Sequence, residues 1–297
     1  MKNLKIFLQS IILLFFVSSA FAQNDKVIRE IIRLGQTDNQ TMQHLDVISN
    51  RFGGRLVGSD AYENAAEWCA SMFKKWGMEV IMDEVGTVPV GFNRGPWFGR
   101  MLSDEGMVLH FATPSYTSGT KGVQRGHVLA EPKTKAEFDR MKGALKGAWV
   151  LISGTSSGWP VDWSATGDSL RAKVLAENEE IEKKNREIMM ENRRNPGREA
   201  KPTLPYKEEP ALFYRQMREA GILGIIQSSE VPIRVLYDRK NLEKMTFETL
   251  PTIPDIKLDE HQFRIIEQMV KERRYFQIEF DIRNHFKMGH VKYNNVI

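Results

Sequence analysis

The side chains with most scope for chemistry in this 297-residue sequence are six histidines, a single cysteine and one serine–glycine run. Hydrolytic metal centres need imidazole and carboxylate groups spaced to converge on one ion, with a coordination position left for water. His44, His110, His127 and His261 are isolated, and none stands in an HExxH or His-x-Asp arrangement. His285 and His290 form the one close pair, without a third ligand nearby, and in a strand their odd separation directs them to opposite faces. Cys69 has no partner for an intramolecular disulfide and lies on the stripe Ala65, Cys69, Met72, Phe73, Trp76, a helical spacing that predicts a small buried hydrophobe. Ser153-Gly154-Thr155-Ser156-Ser157-Gly158 lacks the GxSxG elbow and the lysine of a phosphate loop, so it reads as a turn. The residues themselves therefore nominate no catalytic, cofactor-binding or metal-ligating position.

The elements that would carry any site are legible in outline. Val27–Leu34 and Thr41–Ser49 have the apolar spacing of short helices. A third helix is expected to start at Ser59 or Asp60, with Asp60 and Glu63 at capping-box spacing, and to stop at Gly77; Met78–Val85 follows as a strand. The Gly- and Pro-rich stretch from Gly86 to Thr120 reads as a connector outside the core. Val128–Ala130, Ala148–Ile152 and Ile222–Ile226 are expected strands, with helical segments at Phe138–Leu145 and Phe213–Ala220. From Asp168 to about Asn195, Leu170, Val174, Ile181 and Ile188 recur roughly every seven residues beside the pairs Glu179/Lys183, Glu180/Lys184 and Glu182/Arg186. That pattern predicts a long, mostly exposed charged helix, ended by Asn195-Pro196-Gly197. Leu258–Lys271 is a further amphipathic helix, and Phe276–Ile282 alternates as a half-buried strand before a last apolar segment, Val291–Ile297.

Lys2 and Lys5, the apolar run Ile6–Val17 and the small-residue site Ala20-Phe21-Ala22 form a cleavable export signal over residues 1–22. No later run is long and apolar enough to span a bilayer, so the expected product is secreted or periplasmic, without membrane attachment after cleavage. The net charge of +4, less the two lysines of the leader, falls to +2, and no basic patch with interleaved aromatics suggests nucleic acid.

The segment Ser49–Val80, with Arg55-Leu56-Val57-Gly58-Ser59 ahead of the Trp68…Trp76-Gly77 helix, resembles the opening of peptidase family 28, the secreted di-zinc aminopeptidases and carboxypeptidases. The runs around Leu145–Ile152 and Ala220–Ile226 resemble the protease-associated domain, which in that family is inserted into the peptidase domain. The resemblance implies an α/β fold: an incomplete mixed-sheet zinc-peptidase domain interrupted by a β-rich insertion. The expected order is a peptidase segment at 23–120, the insertion at 121–255 with its long helix near 168–195, and a return segment at 256–297 that stops before the metal site. In the family an Asn-Val strand, matched here by Asn295-Val296, directly precedes a His-x-Asp metal strand.

For a complete family member the resemblance implies two zinc ions, a glutamate base and a peptide substrate. None of those ligands matches a position in this sequence, and Glu208-Glu209, which imitates the family's glutamate pair, is followed by Pro210 and lies within the insertion. The expectation is thus the front part of an exported exopeptidase, binding no zinc and inactive by itself. The rival readings are a non-catalytic protein- or peptide-binding module and one half of a split enzyme; the oligomeric state is left open.

Overall fold

The computed structural model describes residues 26–103, 106–237 and 244–297. The expected leader at 1–22 lies outside the described residues. The chain divides into two units, Met1–Arg55 and Leu56–Ile297. In the first, helix α1 covers 26–37 and α2 covers Thr41–Asp46, followed by a π-helical turn at Val47–Arg51.

The second unit opens on the tight turn of the Gly-Ser motif. Gly58 has φ +81°, and a Cβ there would stand 2.5 Å from Val88 Cγ2, so both the backbone angle and the space demand glycine. Ser59 is the cap of helix α3, Asp60–Lys75, its Oγ accepting from Tyr62 N at 3.1 Å. With Ser59 as cap, Glu63 falls one residue beyond the capping-box position and instead meets Lys287 Nζ at 3.2 Å. Only Ala65 and Ala70 of α3 are buried; Cys69 is half-buried and Trp76 is exposed.

Strand β1, Met82–Val88, starts four residues later than expected. It pairs antiparallel with β11, Val291–Val296, from Met82↔Val296 to Val88↔Val291. A second short ribbon follows inward: β2, Gly91–Asn93, pairs with β10, His285–Lys287. Everything between these ribbons belongs to one mixed seven-stranded sheet and its helices.

The sheet takes β3 (Trp97–Leu102), β4 (Phe111–Ala112), β5 (Gln124–Ala130), β6 (Trp149–Ser156), β7 (Gly224–Ser229), β8 (Asp255–Asp259) and β9 (Gln277–Ile282) in the order β3-β9-β5-β6-β7-β8-β4. β5 to β8 run parallel; β9 is antiparallel to β5 and β3, and β4 to β8. Residues 107–112 link the two outer members. Met101 N donates to Met107 O and Leu109 N to Gly99 O, while Phe111 pairs with Leu258 and Asp259 N donates to His110 O. The segment thereby covers edges that would otherwise expose unpaired backbone groups.

Two expectations change here. The stretch Gly86–Thr120 is no bare connector: it supplies β2, β3 and β4 and buries Val90, Phe92, Met101, Leu109, Phe111 and Tyr116. Nor does the sheet break at 120/121 or 255/256, since β3 from the first expected segment and β9 from the last lie side by side within it. Spaced aromatics and a Gly/Pro-rich composition hide this, because the strand partners of β2, β3 and β4 lie more than 140 residues away in sequence.

One sheet face packs on helix α7, Glu260–Lys271, through Phe263, Ile266 and Met269, with Trp149, Phe280 and Phe111 in edge-on contact at its centre. The other face carries α4 (Lys135–Leu145), α5 (Ala165–Arg194) and α6 (Tyr214–Glu219), meeting Val150, Ile152 and Ile225. The alternation of β9 is as expected for Ile278, Phe280 and Ile282, all fully buried, but Glu279 is buried too. Arg100 Nε and Arg125 Nη2 hold its carboxylate at 2.5 and 2.8 Å.

Helix α5 is the long helix expected near 168–195. Its apolar residues Val174, Ile181 and Ile188 alternate with Asn178, Asn185 and Asn192 on one seam at steps of three and four. Each asparagine Nδ2 donates to one backbone carbonyl (Lys207, Leu204 and Lys201, all 2.9 Å), and each Oδ1 accepts from the same residue's N–H at 2.7–2.9 Å. Seven helical residues rise about 10.5 Å and three extended residues about 9.3 Å, so a heptad on the helix stays near register with every third residue of the strap 201–207. Pro202 and Pro205 lack N–H groups and fall at positions the ladder leaves unused. Of the expected ion pairs, Glu182–Arg186 forms, whereas Lys183 turns to Glu180 at 2.6 Å.

Candidate functional site

The sequence candidates do not assemble. His127 Nε2 lies 2.8 Å from Ala144 O, and His285 Nδ1 lies 3.4 Å from Arg283 O. His290 follows the left-handed Gly289 in the link between β10 and β11, His110 immediately precedes β4, its carbonyl accepting from Asp259 N, and His261 is the second residue of α7. Among the described residues, no group of three His, Cys, Asp or Glu side chains could hold a metal ion. The donor set present does not fit a zinc centre of the kind the resemblance implies.

What does converge is a polar row on the α5/α6 face of the sheet, toward the carboxyl ends of the parallel strands. On β8, Ile256 and Leu258 point into the α7 core, so pleating turns Asp255 and Lys257 the other way. Lys257 is completely buried; its Nζ lies 2.8 Å from Asp255 Oδ1 and donates to Gln227 Oε1 at 2.9 Å. A buried ammonium is tolerable only with such partners. Asp255 Oδ2 accepts from Val161 N at 2.7 Å, which ties the loop after β6 down onto the sheet. Gln227 Nε2 reaches Ser153 O at 3.4 Å. Ser153 in turn donates from N and Oγ to Glu131 Oε1 at 2.8 and 2.5 Å, and Lys133 Nζ meets both side chains. The serine–glycine run is therefore not the plain turn expected: Ser153–Ser156 continue β6, with an irregular register between Ile152 and Thr155, and a buried carboxylate anchors Ser153.

Above this row lies a cavity of about 270 Å3. Thr155 comes from the end of β6, Ser157 and Trp159 from the loop after it, Arg171 from the second turn of α5, Glu209 and Pro210 from just beyond the strap, and Gln227 from the floor. Open α/β sheets place ligand crevices at this end of their parallel strands. Ser164 Oγ caps α5 by accepting from Gly167 N at 3.2 Å. Arg171, only 5% exposed, donates from Nη1 to Asp168 Oδ1 at 3.1 Å and from Nη2 to Asp162 O, and its guanidinium lies 5.2 Å from the Tyr214 ring centre. Burial, aided by the charge of Asp255, pushes the Tyr214 phenol well above its ordinary value and keeps it neutral. The Nε of Arg171 has no protein partner.

Sequence reasoning missed this place because Lys257, Asp255 and Gln227 come from separate strands and carry no motif. One signal was available: Asp255 and Lys257 alternate with Ile256 and Leu258, charges inside a segment otherwise apolar enough for a core strand. A second groove of about 750 Å3 runs beside α7, lined by Met101, Ile265, Met269 and Phe276 with Arg264 and Arg274.

No family model matches the chain, and no curated protein matches it. Solved structures do. A peptidase M28 precursor from Shewanella amazonensis SB2B aligns over 93% of this chain and 53% of its own, at 15% identity and a TM-score of 0.44. A zinc aminopeptidase from Bacillus subtilis aligns over 86% of this chain and 45% of its own, at 13% identity and a TM-score of 0.42. An aminopeptidase from Aneurinibacillus sp. strain AM-1 aligns over 85% and 46%, at 10% identity and a TM-score of 0.40. This chain spans about half the length of each.

Proposed function

We propose that this chain is the part of an exported metallo-exopeptidase that carries an inserted protease-associated-like domain and the layer from which it springs. One observation carries the reading. β1 and β11, 203 residues apart from Val88 to Val291, pair with each other, and the sheet between them leaves and returns through the single β2–β10 ribbon. This is the connectivity of an insertion, and its base bears α3 with the Gly58-Ser59 motif, where the sequence resemblance is strongest. On this reading the insertion runs from about 91 to 287, wider than 121–255.

The base also displays apolar surface suited to further packing: Trp76, Met78, Ile81, Met82 and Val85 are all exposed. Since the described side chains do not fit a zinc centre, metal ligation and the glutamate base fall outside them, and the chain alone hydrolyses nothing. The complete enzyme takes peptides, acts outside the cytoplasm and uses neither nucleic acid nor membrane. The test is to assay the purified product on aminoacyl-anilides with added zinc; a chelator-sensitive rate would overturn the proposal, and none is expected.

The rival reading, a stand-alone binding module, is favoured by the way residues 107–112 close the sheet around its own core. Monodispersity and a single cooperative unfolding transition would support it.

A further inference from the structure

We infer that the groove beside α7 is a docking site for an extended peptide segment carrying apolar and acidic side chains. This groove stands apart from the peptidase reading and does not depend on it. His261, Arg264, Ile265, Gln268, Met269 and Glu272 line one wall, and their spacing selects a single helix face. From His261 to Glu272 the helix rises about 16.5 Å, the length of about five residues of extended chain. The volume of about 750 Å3 falls within the ~300–1,000 Å3 of ligand sites.

Floor and rim differ in chemistry. Met101, Met269 and Phe276 form the floor and belong to the buried core between α7 and the sheet, so the groove is in place before any ligand arrives. Ile265 and Tyr275, 38% and 83% exposed, add apolar surface at the rim. Arg264 and Arg274 stand there too, and neither has an ion-pair partner among the described residues; Arg264 Nε reaches only Glu260 O of its own helix, at 3.4 Å. The one carboxylate of the lining, Glu272, is turned to Gln268, whose Nε2 donates to its Oε1 at 2.8 Å. Two guanidinium groups against one carboxylate leave an excess of positive charge, which an acidic partner complements.

Composition points to polypeptide as the occupant. Tyr, Phe, Met and Arg are concentrated at protein interfaces, whereas Lys is depleted there. Tyr275, Phe276, Met101, Met269, Arg264 and Arg274 make up half of this lining, which contains no lysine. The flexible thioethers adapt to differing apolar side chains, and a guanidinium pairs bidentately with a carboxylate. An extended segment of alternating apolar and acidic residues directs one set to the floor and leaves the other beside the rim arginines.

Calorimetric titration of the full chain with capped hexapeptides tests this: Glu-Leu-Glu-Phe-Glu-Leu, the same peptide with lysine for each glutamate, and the same with serine for each apolar residue. The first is expected to saturate with a Kd of about 1 mM or tighter, and each of the others to bind at least about tenfold more weakly, through loss of the charged or the apolar contacts. Arg264→Glu combined with Arg274→Glu should reverse the charge preference, so that the lysine peptide binds better than the glutamate peptide; both side chains are exposed, and the exchange leaves the core intact. Arg193→Glu, the same reversal at an exposed position of α5, should change neither affinity. Absence of saturation, equal binding of the glutamate and serine peptides, an unreversed preference in the double variant, or an equal effect of Arg193→Glu would each overturn the inference. So would a dimer in sedimentation that the double variant dissolves, since the groove would then hold a second copy.

Discussion

Asn185 and Leu204 exchange two hydrogen bonds, Nδ2 to the Leu204 carbonyl at 2.9 Å and the Leu204 N–H to Oδ1 at 2.7 Å, so a side-chain amide takes the place of a neighbouring strand. Asn178 and Asn192 repeat the exchange one heptad away on either side. The ladder lets a helix with few buried residues bind an extended segment without a second helix.

Asn185→Leu should free the middle of the strap while leaving the sheet intact. Two ordinary hydrogen bonds contribute about 1–3 kcal/mol in total, so amide exchange at Leu204 should accelerate roughly 5- to 150-fold. Hydrogen exchange read by mass spectrometry checks this. Unchanged protection across 201–207 would show that the proline-rich strap is held by something else.

Lys257→Met leaves Asp255 buried with an uncompensated charge and should cost about 3–5 kcal/mol. Lys257→Met combined with Asp255→Asn removes both charges and should cost less than the single change, since the asparagine can still accept from Val161 N. Urea denaturation of the parent, these two variants and Asp255→Asn alone completes the cycle.

Glu279 gives a pH signature. Hydrogen bonding from Arg125, first, and then Arg100 holds its carboxyl below the ordinary value of 4.5, against the opposing effect of burial. A depressed folded value means the stabilisation is present above the unfolded value and fades as pH falls through the folded one. Glu279→Gln should therefore cost about 1.5–3 kcal/mol at neutral pH, near the lower end because both arginines are half-exposed, and the gap from the parent should close below pH 4.5. A gap constant from pH 7 to pH 3 would assign the loss to packing instead.

Gly58→Ala tests the turn of the Gly-Ser motif. A left-handed backbone and a contact at 2.5 Å with Val88 should together cost about 1–3 kcal/mol. Thermal unfolding measures it, and a neutral substitution would mean that β1 shifts freely away from the turn.

Local signals in the sequence located most elements, and tertiary pairing decided what they missed. The cap at Ser59, the α5 helix and the alternation of β9 were legible because each is written in adjacent residues. The pairing of Trp97 with Ile282 was not, and that long-range contact is what turns the Gly86–Thr120 stretch into sheet. On α5 the apolar heptad drew attention from the asparagine heptad beside it, although the polar residues make the directional contacts. The cavity escaped for the same reason as Lys257: its walls come from four separate stretches of chain, and the chemistry appears only when they meet.

The most direct measurement is to read the coding DNA in frame past the codon for Ile297. The account predicts a His-x-Asp strand following Asn295-Val296, then a Glu-Glu pair and a final histidine, the ligand set that these residues do not provide. An immediate stop codon behind a stably produced, monodisperse protein would contradict it and leave the binding-module reading in its place.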